Sequence, residues 1–299
     1  MSVAKVMVLG GAGMLGHKMF QLLRERFVGV FCTVRGGVLQ APLDRVGFLQ
    51  GNDVILGVDV MDFPALESTL SDFRPEYVVN CVGIIKQRAE ALSPIPSITI
   101  NSLLPHELAK IVSRWGGHII HFSTDCVFSG KRGKYTEADC SDADDLYGKT
   151  KFLGEVTMAN ALTLRTSIIG RELVEHRSLL DWFLAQNGKT IRGYRRVIYS
   201  GVTTNHLADL VSSVIHEYPK LNGLYQVASE PISKYDLLCL LREAYRLDVH
   251  IEPDDLEISD RSMRCDRLQE AIGYKCPPWP VLARQLADDT TSYGEQLER

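Results

Sequence analysis

Short apolar runs alternate with amphipathic stretches through the first 165 positions of the chain. Lys5–Leu9 (KVMVL) is apolar without alternation, the pattern of a strand buried on both faces. Val28–Val34, a run closing at Gly57–Val60, Tyr77–Cys81, His118–Phe122 and Ala161–Arg165 have the same character. Helical periodicity fills the gaps: up to about Arg26, Phe63–Phe73, about Ile98–Trp115 and a helix around Tyr147. In the third of these, Leu103, Leu104 and Leu108 are predicted core residues. Strands alternating with helices predict an α/β fold with a doubly wound parallel sheet. Beyond Arg165 the rhythm changes. Ser178–Gln186 predicts an amphipathic helix and Gly188–Gly193 a turn. A helix within Thr203–Tyr218 is predicted to be capped near Thr204 or Asn205. Leu224–Ala228 predicts a strand, suited to extending the main sheet. Ser233–Tyr245 predicts a helix whose Ser233 and Asp236 resemble a capping box. The expected division is a sheet domain of residues 1–170 plus about 195–228. A smaller mixed α/β lobe would be made of about 171–194 and 229–299. Ligands of such sheets bind outside the carboxyl ends of the strands, so the cleft between the lobes is the expected site.

Composition narrows the function classes. The 299 residues are 45% hydrophobic and 23% charged, as in ordinary globular proteins. A net charge of −4 argues against a nucleic-acid or anionic-membrane partner. The seven cysteines are odd in number and form no C-x-x-C pair, which favours reduced thiols over disulfides or a zinc site. No apolar run reaches the roughly 18 residues needed to span a bilayer. The strand pattern at Lys5 leaves no room for a signal peptide, so the expected location is the cytoplasm.

Candidate chemistry lies at the strand ends. Gly10-Gly-Ala-Gly13-Met14-Leu15-Gly16 follows the first strand and opens a helix. Glycines there permit a tight turn and close approach of backbone to a pyrophosphate at the helix N-terminus. The second strand ends without the acid that holds an NAD ribose. It ends at Arg35, which suits a 2′-phosphate, so NADP(H) is preferred with NAD(H) as the alternative; Arg35 as a solvated surface charge is the bland reading. Asp59-Val60 would meet the adenine, unless Asp59 only caps a helix. Cys81, Val82 and Gly83 would pass close to the cofactor, and Lys86 would face substrate or solvent. Tyr147 and Lys151 are four apart, which puts both on one helix face. An ammonium beside a phenol lowers its pKa from about 10 and makes the pair an acid–base unit for a carbonyl or alcohol oxygen. No other tyrosine has a lysine at that offset. Ser123-Thr124, ending the fifth strand, offers a hydroxyl to the same oxygen. No ligand cluster with metal spacing appears.

The glycine motif, STDCVFSG and YGKTKFLGE together resemble the extended short-chain dehydrogenase/reductases, most closely the dTDP-4-dehydrorhamnose reductase family. The resemblance runs over essentially the whole chain. It implies hydride transfer from a nicotinamide to a 4-keto deoxysugar on a nucleoside diphosphate, for polysaccharide or deoxysugar biosynthesis. By motif position it makes Thr124, Tyr147 and Lys151 the catalytic set, with Tyr147 protonating the oxygen and Lys151 also holding the nicotinamide ribose. Gly10, Gly13, Met14, Leu15, Gly16 and Cys81 to Gly83 would line the cofactor. Asp125, Cys126, Lys86 and, in the smaller lobe, Arg261 would face substrate. Arg261 suits a diphosphate or else a surface salt bridge. Close relatives carry Tyr where this chain has Cys126. In a related epimerase–reductase that place is a Cys working with a downstream His. Cys126 with His176 therefore keeps epimerisation open, against Cys126 as a buried packing residue. A third reading, of another class, is a cofactor-binding regulatory subunit like the β subunit of methionine adenosyltransferase. A homodimer is compatible with the fold.

Overall fold

The computed structural model describes residues 2–86 and 93–293. In the first half, β1 (Ser2–Leu9), α1 (Met14–Arg26), β2 (Phe27–Val34), β3 (Val54–Leu56), α2 (Phe63–Phe73) and β4 (Tyr77–Asn80) follow one another. Then come α3 (Pro94–Ser97), a π-helical turn at Ile98–Leu103, α4 (Leu104–Ser113), β5 (His118–Ser123), α5 (Leu146–Leu153) and β6 (Ala161–Arg165). In the second half are β7 (Ile168–Ile169), α6 (Leu179–Leu184), β8 (Thr190–Tyr194), β9 (Val197–Tyr199), β10 (Val202–Thr203), α7 (Thr204–Glu217) and β11 (Gly223–Gln226). The chain ends with β12 (Ile232–Ser233), α8 (Lys234–Tyr245), β13 (His250–Asp254), β14 (Ser259–Asp260), α9 (Asp266–Ile272) and α10 (Trp279–Ala287).

Seven strands form the main sheet in the order β3-β2-β1-β4-β5-β6-β11. Every pairing is parallel. The sheet is buried on both faces, as the unbroken apolar runs require. Val6 and Val8 of β1 enter the core under α1 and α7, with Met19, Phe20, Leu207 and Val211. Met7 and Leu9 alternate into the opposite core, with Leu66 and Leu70 of α2 and Leu108 and Val112 of α4. The order reverses between β1 and β4, so the carboxyl ends of these two strands open a crevice. A third core packs α6, α8 and α10 through Phe183, Leu237, Leu241 and Leu282. It adjoins two small sheets, β13-β8 and β12-β9-β14. Among the described residues no helix is long and apolar enough to cross a membrane.

Leu224–Ala228 does extend the main sheet: its paired part, β11, runs parallel to β6. Ser233 caps α8, accepting the Asp236 N–H at 3.0 Å. Four local expectations are corrected. Gly188–Gly193 is mostly strand: β8 pairs with β13 sixty residues later, a partner that local pattern cannot reveal. A Cβ at Gly193 would meet Ile251 and Tyr235 at 2.8 Å, so this glycine serves packing and not a turn. Leu103 is 44% exposed, because the π-helical turn shifts the phase of the helix, whereas Leu104 and Leu108 are fully buried. Thr203, not Thr204 or Asn205, caps α7, accepting the His206 N–H at 3.1 Å. The third strand stops at Leu56, before Gly57 turns with φ of +78°.

Candidate active site

Two strand ends and one helix start form the floor of the crevice. After β1, Gly10 has φ of +83°, and Gly13 N–H donates to Gly10 O at 2.9 Å. A Cβ on Gly16 would lie 2.0 Å from the Gly10 carbonyl oxygen, and one on Gly10 would lie 2.9 Å from Val82. Both glycines are therefore demanded by the close passage of the turn, α1 and the exit of β4. α1 begins at Met14 with Gly13 as its cap. No side chain caps it and its first turn carries no acid. Its first N–H groups and positive dipole end are free for an anion. Leu15 is turned into the core under α1.

The exit of β4 is fixed by polar side chains. The Asn80 carboxamide accepts the Val82 N–H at 3.1 Å and its amide meets His121 Nδ1 at 3.1 Å. With Nδ1 accepting, the His121 proton sits on Nε2, and burial holds the ring's pKa well below its usual value. Asn101, in the π-helical turn, accepts the Ile84 N–H at 2.9 Å and donates to Ile84 O at 3.0 Å and Thr150 Oγ1 at 3.3 Å. It thus bolts the loop holding Cys81, Val82 and Gly83 to α5. A polar residue inside an apolar-periodic helix was the available signal for it. Arg35 stands exposed at the end of β2, with no hydrogen-bond or ion-pair partner among the described residues. Asp59 Oδ1 accepts the Met61 N–H at 3.0 Å, and Val60 is buried in the second core.

The third wall is built by β5 and α5. Thr124 follows β5 and caps a single turn at Asp125–Val127. Its hydroxyl accepts the Cys126 N–H at 3.1 Å and donates to Asp125 Oδ1 at 3.1 Å. Asp145 caps α5 by accepting the Gly148 N–H at 2.7 Å. A Cβ on Gly148 would lie 2.3 Å from the Cys126 carbonyl oxygen, so glycine lets α5 press on this turn. Tyr147 is thereby brought to the turn that Thr124 caps, where Thr124 acts on its phenol. Lys151, one turn on, donates to Phe122 O at 2.6 Å. Glu155 clamps the wall: it accepts Ser123 Oγ at 2.6 Å and binds Arg165 through Nε at 2.8 Å and Nη2 at 2.7 Å.

The spacing of Tyr147 and Lys151 delivers one helix face, but not the expected pKa effect. Burial pushes the Tyr147 phenol above its ordinary value; Cys126, Asp125 and Asp145 add to this and Thr124 opposes it. Burial pulls the Lys151 ammonium down to about 8, against Glu155. That ammonium is spent on the Phe122 carbonyl.

Lys86 pairs with Asp145 and lies 5.7 Å from the Tyr147 ring centroid. Burial raises the Asp125 carboxyl, opposed by Arg261 and Lys234. Burial, then Asp125, pushes the Cys126 thiol up to about 12, with Lys86 and Arg261 opposing. At neutral pH it is a thiol and a poor base. His176 Nδ1 lies 3.3 Å from Asp181 Oδ1, which also takes Arg171 Nε at 2.6 Å. Among the described residues nothing joins His176 to Cys126. Arg261 donates through Nε to Phe128 O at 2.9 Å, and among the described residues it has no carboxylate within salt-bridge distance, so no surface salt bridge is formed there. The acidic loop at 136–145 is tied down by its own polar side chains. Thr136 is tied to Asp139, and Ser129 to Asp142. Sequence reasoning missed Lys234, whose Nζ stands 3.9 Å from the Tyr199 ring centroid and whose charge faces Asp125 and Cys126. A lysine opening a helix carries no local signal for that.

A family model described as RmlD substrate binding domain matches residues 4–279. Among curated proteins the chain is 24% identical to methionine adenosyltransferase 2 subunit beta of Rattus norvegicus, over 93% of this chain and 88% of that one. It is 29% identical to the spore coat polysaccharide biosynthesis protein SpsK of Bacillus subtilis (strain 168), over 74% and 81%. Among solved structures it superposes on a dTDP-4-dehydrorhamnose reductase from Clostridium acetobutylicum with a TM-score of 0.77, 20% identity, and 95% and 98% coverage. A dTDP-4-dehydrorhamnose reductase from Bacillus anthracis in complex with NADP gives a TM-score of 0.76 at 17% identity, with 95% and 98% coverage.

Proposed function

The chain belongs to the RmlD substrate-binding-domain family, and from that premise we propose that it is an NAD(P)H-dependent reductase of a 4-keto deoxysugar carried on a nucleoside diphosphate. The observation that carries this reading is that Thr124, Tyr147 and Lys151 gather at the carboxyl end of β5, with Lys151 bonded to the Phe122 carbonyl of that strand. Relatives named for polysaccharide biosynthesis and for dTDP-4-dehydrorhamnose reduction support the substrate class and a role in surface-polysaccharide or deoxysugar synthesis.

The residues present fit a nicotinamide dinucleotide. The uncapped start of α1 suits its pyrophosphate, and the glycines leave a cradle that side chains would fill. Arg35, without a partner among the described residues at the end of β2 where no acid stands, suits a 2′-phosphate and favours NADP(H). When bound, the dinucleotide supplies the hydride. Tyr147 then donates its phenolic proton to the C4 oxygen of the sugar. Its raised pKa keeps it a donor at neutral pH and calls for positive charge nearby to stabilise the phenolate that remains. Lys151 supplies that charge and holds the ribose once its ammonium turns from the Phe122 carbonyl. Thr124, at the end of β5, orients the carbonyl.

NADPH oxidation with a panel of dTDP-, UDP- and GDP-linked 4-keto-6-deoxy sugars tests the reading. Oxidation with one of them supports it. NADPH binding without oxidation of any would turn weight to a second reading, which the methionine adenosyltransferase β-subunit relatives favour: a cofactor-binding regulatory subunit. That reading predicts copurification with a larger enzyme.

A further inference from the structure

Lys234 is held in place by rigid elements, yet among the described residues its ammonium has no oxygen to bind. It is the first residue of α8, whose cap is Ser233. The pairing of β12 with β9 sets Ile232 opposite Tyr199, which brings the ammonium over the Tyr199 ring at 3.9 Å. That ring is fixed in turn by Trp279, with centroids 5.6 Å apart, and Trp279 Nε1 donates to Glu230 O at 2.9 Å. Among the described residues the Lys234 ammonium has no hydrogen-bond acceptor and no carboxylate within salt-bridge distance. Asp125 faces it without touching it, and the Asp125 carboxylate accepts from Thr124. Arg261 faces the same Asp125–Cys126 turn, its guanidinium bonded only to neutral carbonyls. Two cations thus converge on one acid that is already engaged.

Resting on the nucleotide-sugar reading above, we propose that Lys234 is a substrate-binding, specificity-determining residue whose ammonium takes an oxygen of the diphosphate joining nucleoside to sugar. A half-buried ammonium without an acceptor is costly, and a ligand that supplies one recovers that cost. A sugar hydroxyl would return a hydrogen bond but leave the charge uncompensated; a phosphate oxygen returns both. The positive end of α8 adds to the attraction. Position agrees. The carbonyl is handled by Thr124 and Tyr147, and Lys234 faces Asp125 and Cys126 but is not among the groups acting on the phenol. In a pyranose the anomeric carbon lies across the ring from C4. The diphosphate it bears is therefore held on the side of the sugar away from the phenol.

Calorimetric titration of dTDP, UDP and GDP into the NADPH-loaded protein tests this, with Lys234→Met and Lys234→Arg beside the wild type. One diphosphate is expected to bind the wild type, to bind Lys234→Met roughly 10- to 100-fold more weakly, and to regain affinity in Lys234→Arg. NADPH affinity should be equal in all three. Unchanged diphosphate affinity in Lys234→Met would overturn the assignment and leave the reductase reading standing. No diphosphate binding to the wild type, with NADPH bound, would overturn both. Should Lys234→Met fail to bind NADPH, Lys234→Gln, which keeps a donor but no charge, carries the same comparison.

Discussion

Tyr147 and Lys151 divide the acid–base work, and each makes a separable prediction. Tyr147→Phe keeps the ring and loses the proton, so turnover should fall roughly 10²- to 10⁴-fold with NADPH affinity unchanged. More than a tenth of wild-type turnover would remove Tyr147 as the donor. Lys151 must carry its charge to hold the ribose, and burial sets its pKa near 8. The charged form prevails below that value and is lost as pH rises through it. NADPH affinity should therefore decline above pH about 8, by up to about tenfold per unit. In Lys151→Met affinity should be weak and flat with pH; a wild-type profile flat to pH 10 would show that the charge is not needed. Cys126, a thiol at neutral pH, predicts that Cys126→Ser remains a reductase and that product made in deuterated water carries no deuterium at C3 or C5. Deuterium at either carbon would revive epimerisation.

At the scale of elements, the wall of the site is held by one buried ion pair. Glu155 and Arg165 side chains are 6% and 2% exposed, and Glu155 also binds Ser123 at the end of β5. Glu155→Ala leaves a guanidinium buried and unpaired, and should cost about 3–5 kcal/mol in urea unfolding. Removing both charges with Glu155→Leu and Arg165→Met should cost less than the single change; an equal or greater loss would mean that the unpaired charge is not the cause. The glycine turn makes the parallel case at the other wall. Gly16→Ala drives a Cβ into the Gly10 carbonyl, so NADPH binding should be lost or much weakened, measured by fluorescence titration.

Across the whole molecule, the chain after α10 returns to α1. Lys18 Nζ lies 2.7 Å from Asp289 Oδ2, with both side chains buried. Burial pushes the Asp289 carboxyl up, but hydrogen bonds from Lys18 and Thr291 outweigh it and hold the pKa at about 2. The folded value lies below the unfolded one of about 3.9. The contact thus stabilises fully above pH about 4 and fades as pH falls toward 2. In acid unfolding followed by circular dichroism, Asp289→Asn should flatten the pH dependence across that window; an unchanged slope would place the acid sensitivity elsewhere.

What the sequence determined was local. The apolar runs pointed to strands buried on both faces, because they lack the polar–apolar alternation that marks a solvent-facing side. Gly10, Gly13 and Gly16 had to turn tightly before a helix, and Tyr147 and Lys151 had to share a face, because spacing of 4 on a helix permits nothing else. Tertiary structure decided what burial and distant partners do to those groups. It paired β8 with β13 and spent the Lys151 ammonium on a carbonyl. It raised the pKa values of Tyr147 and Cys126 and bonded His176 to Asp181. It also set Arg261 against backbone carbonyls and brought Lys234 across from Asp125. Desolvation and contacts between residues a hundred positions apart depend on the whole packing, and no window of sequence contains them.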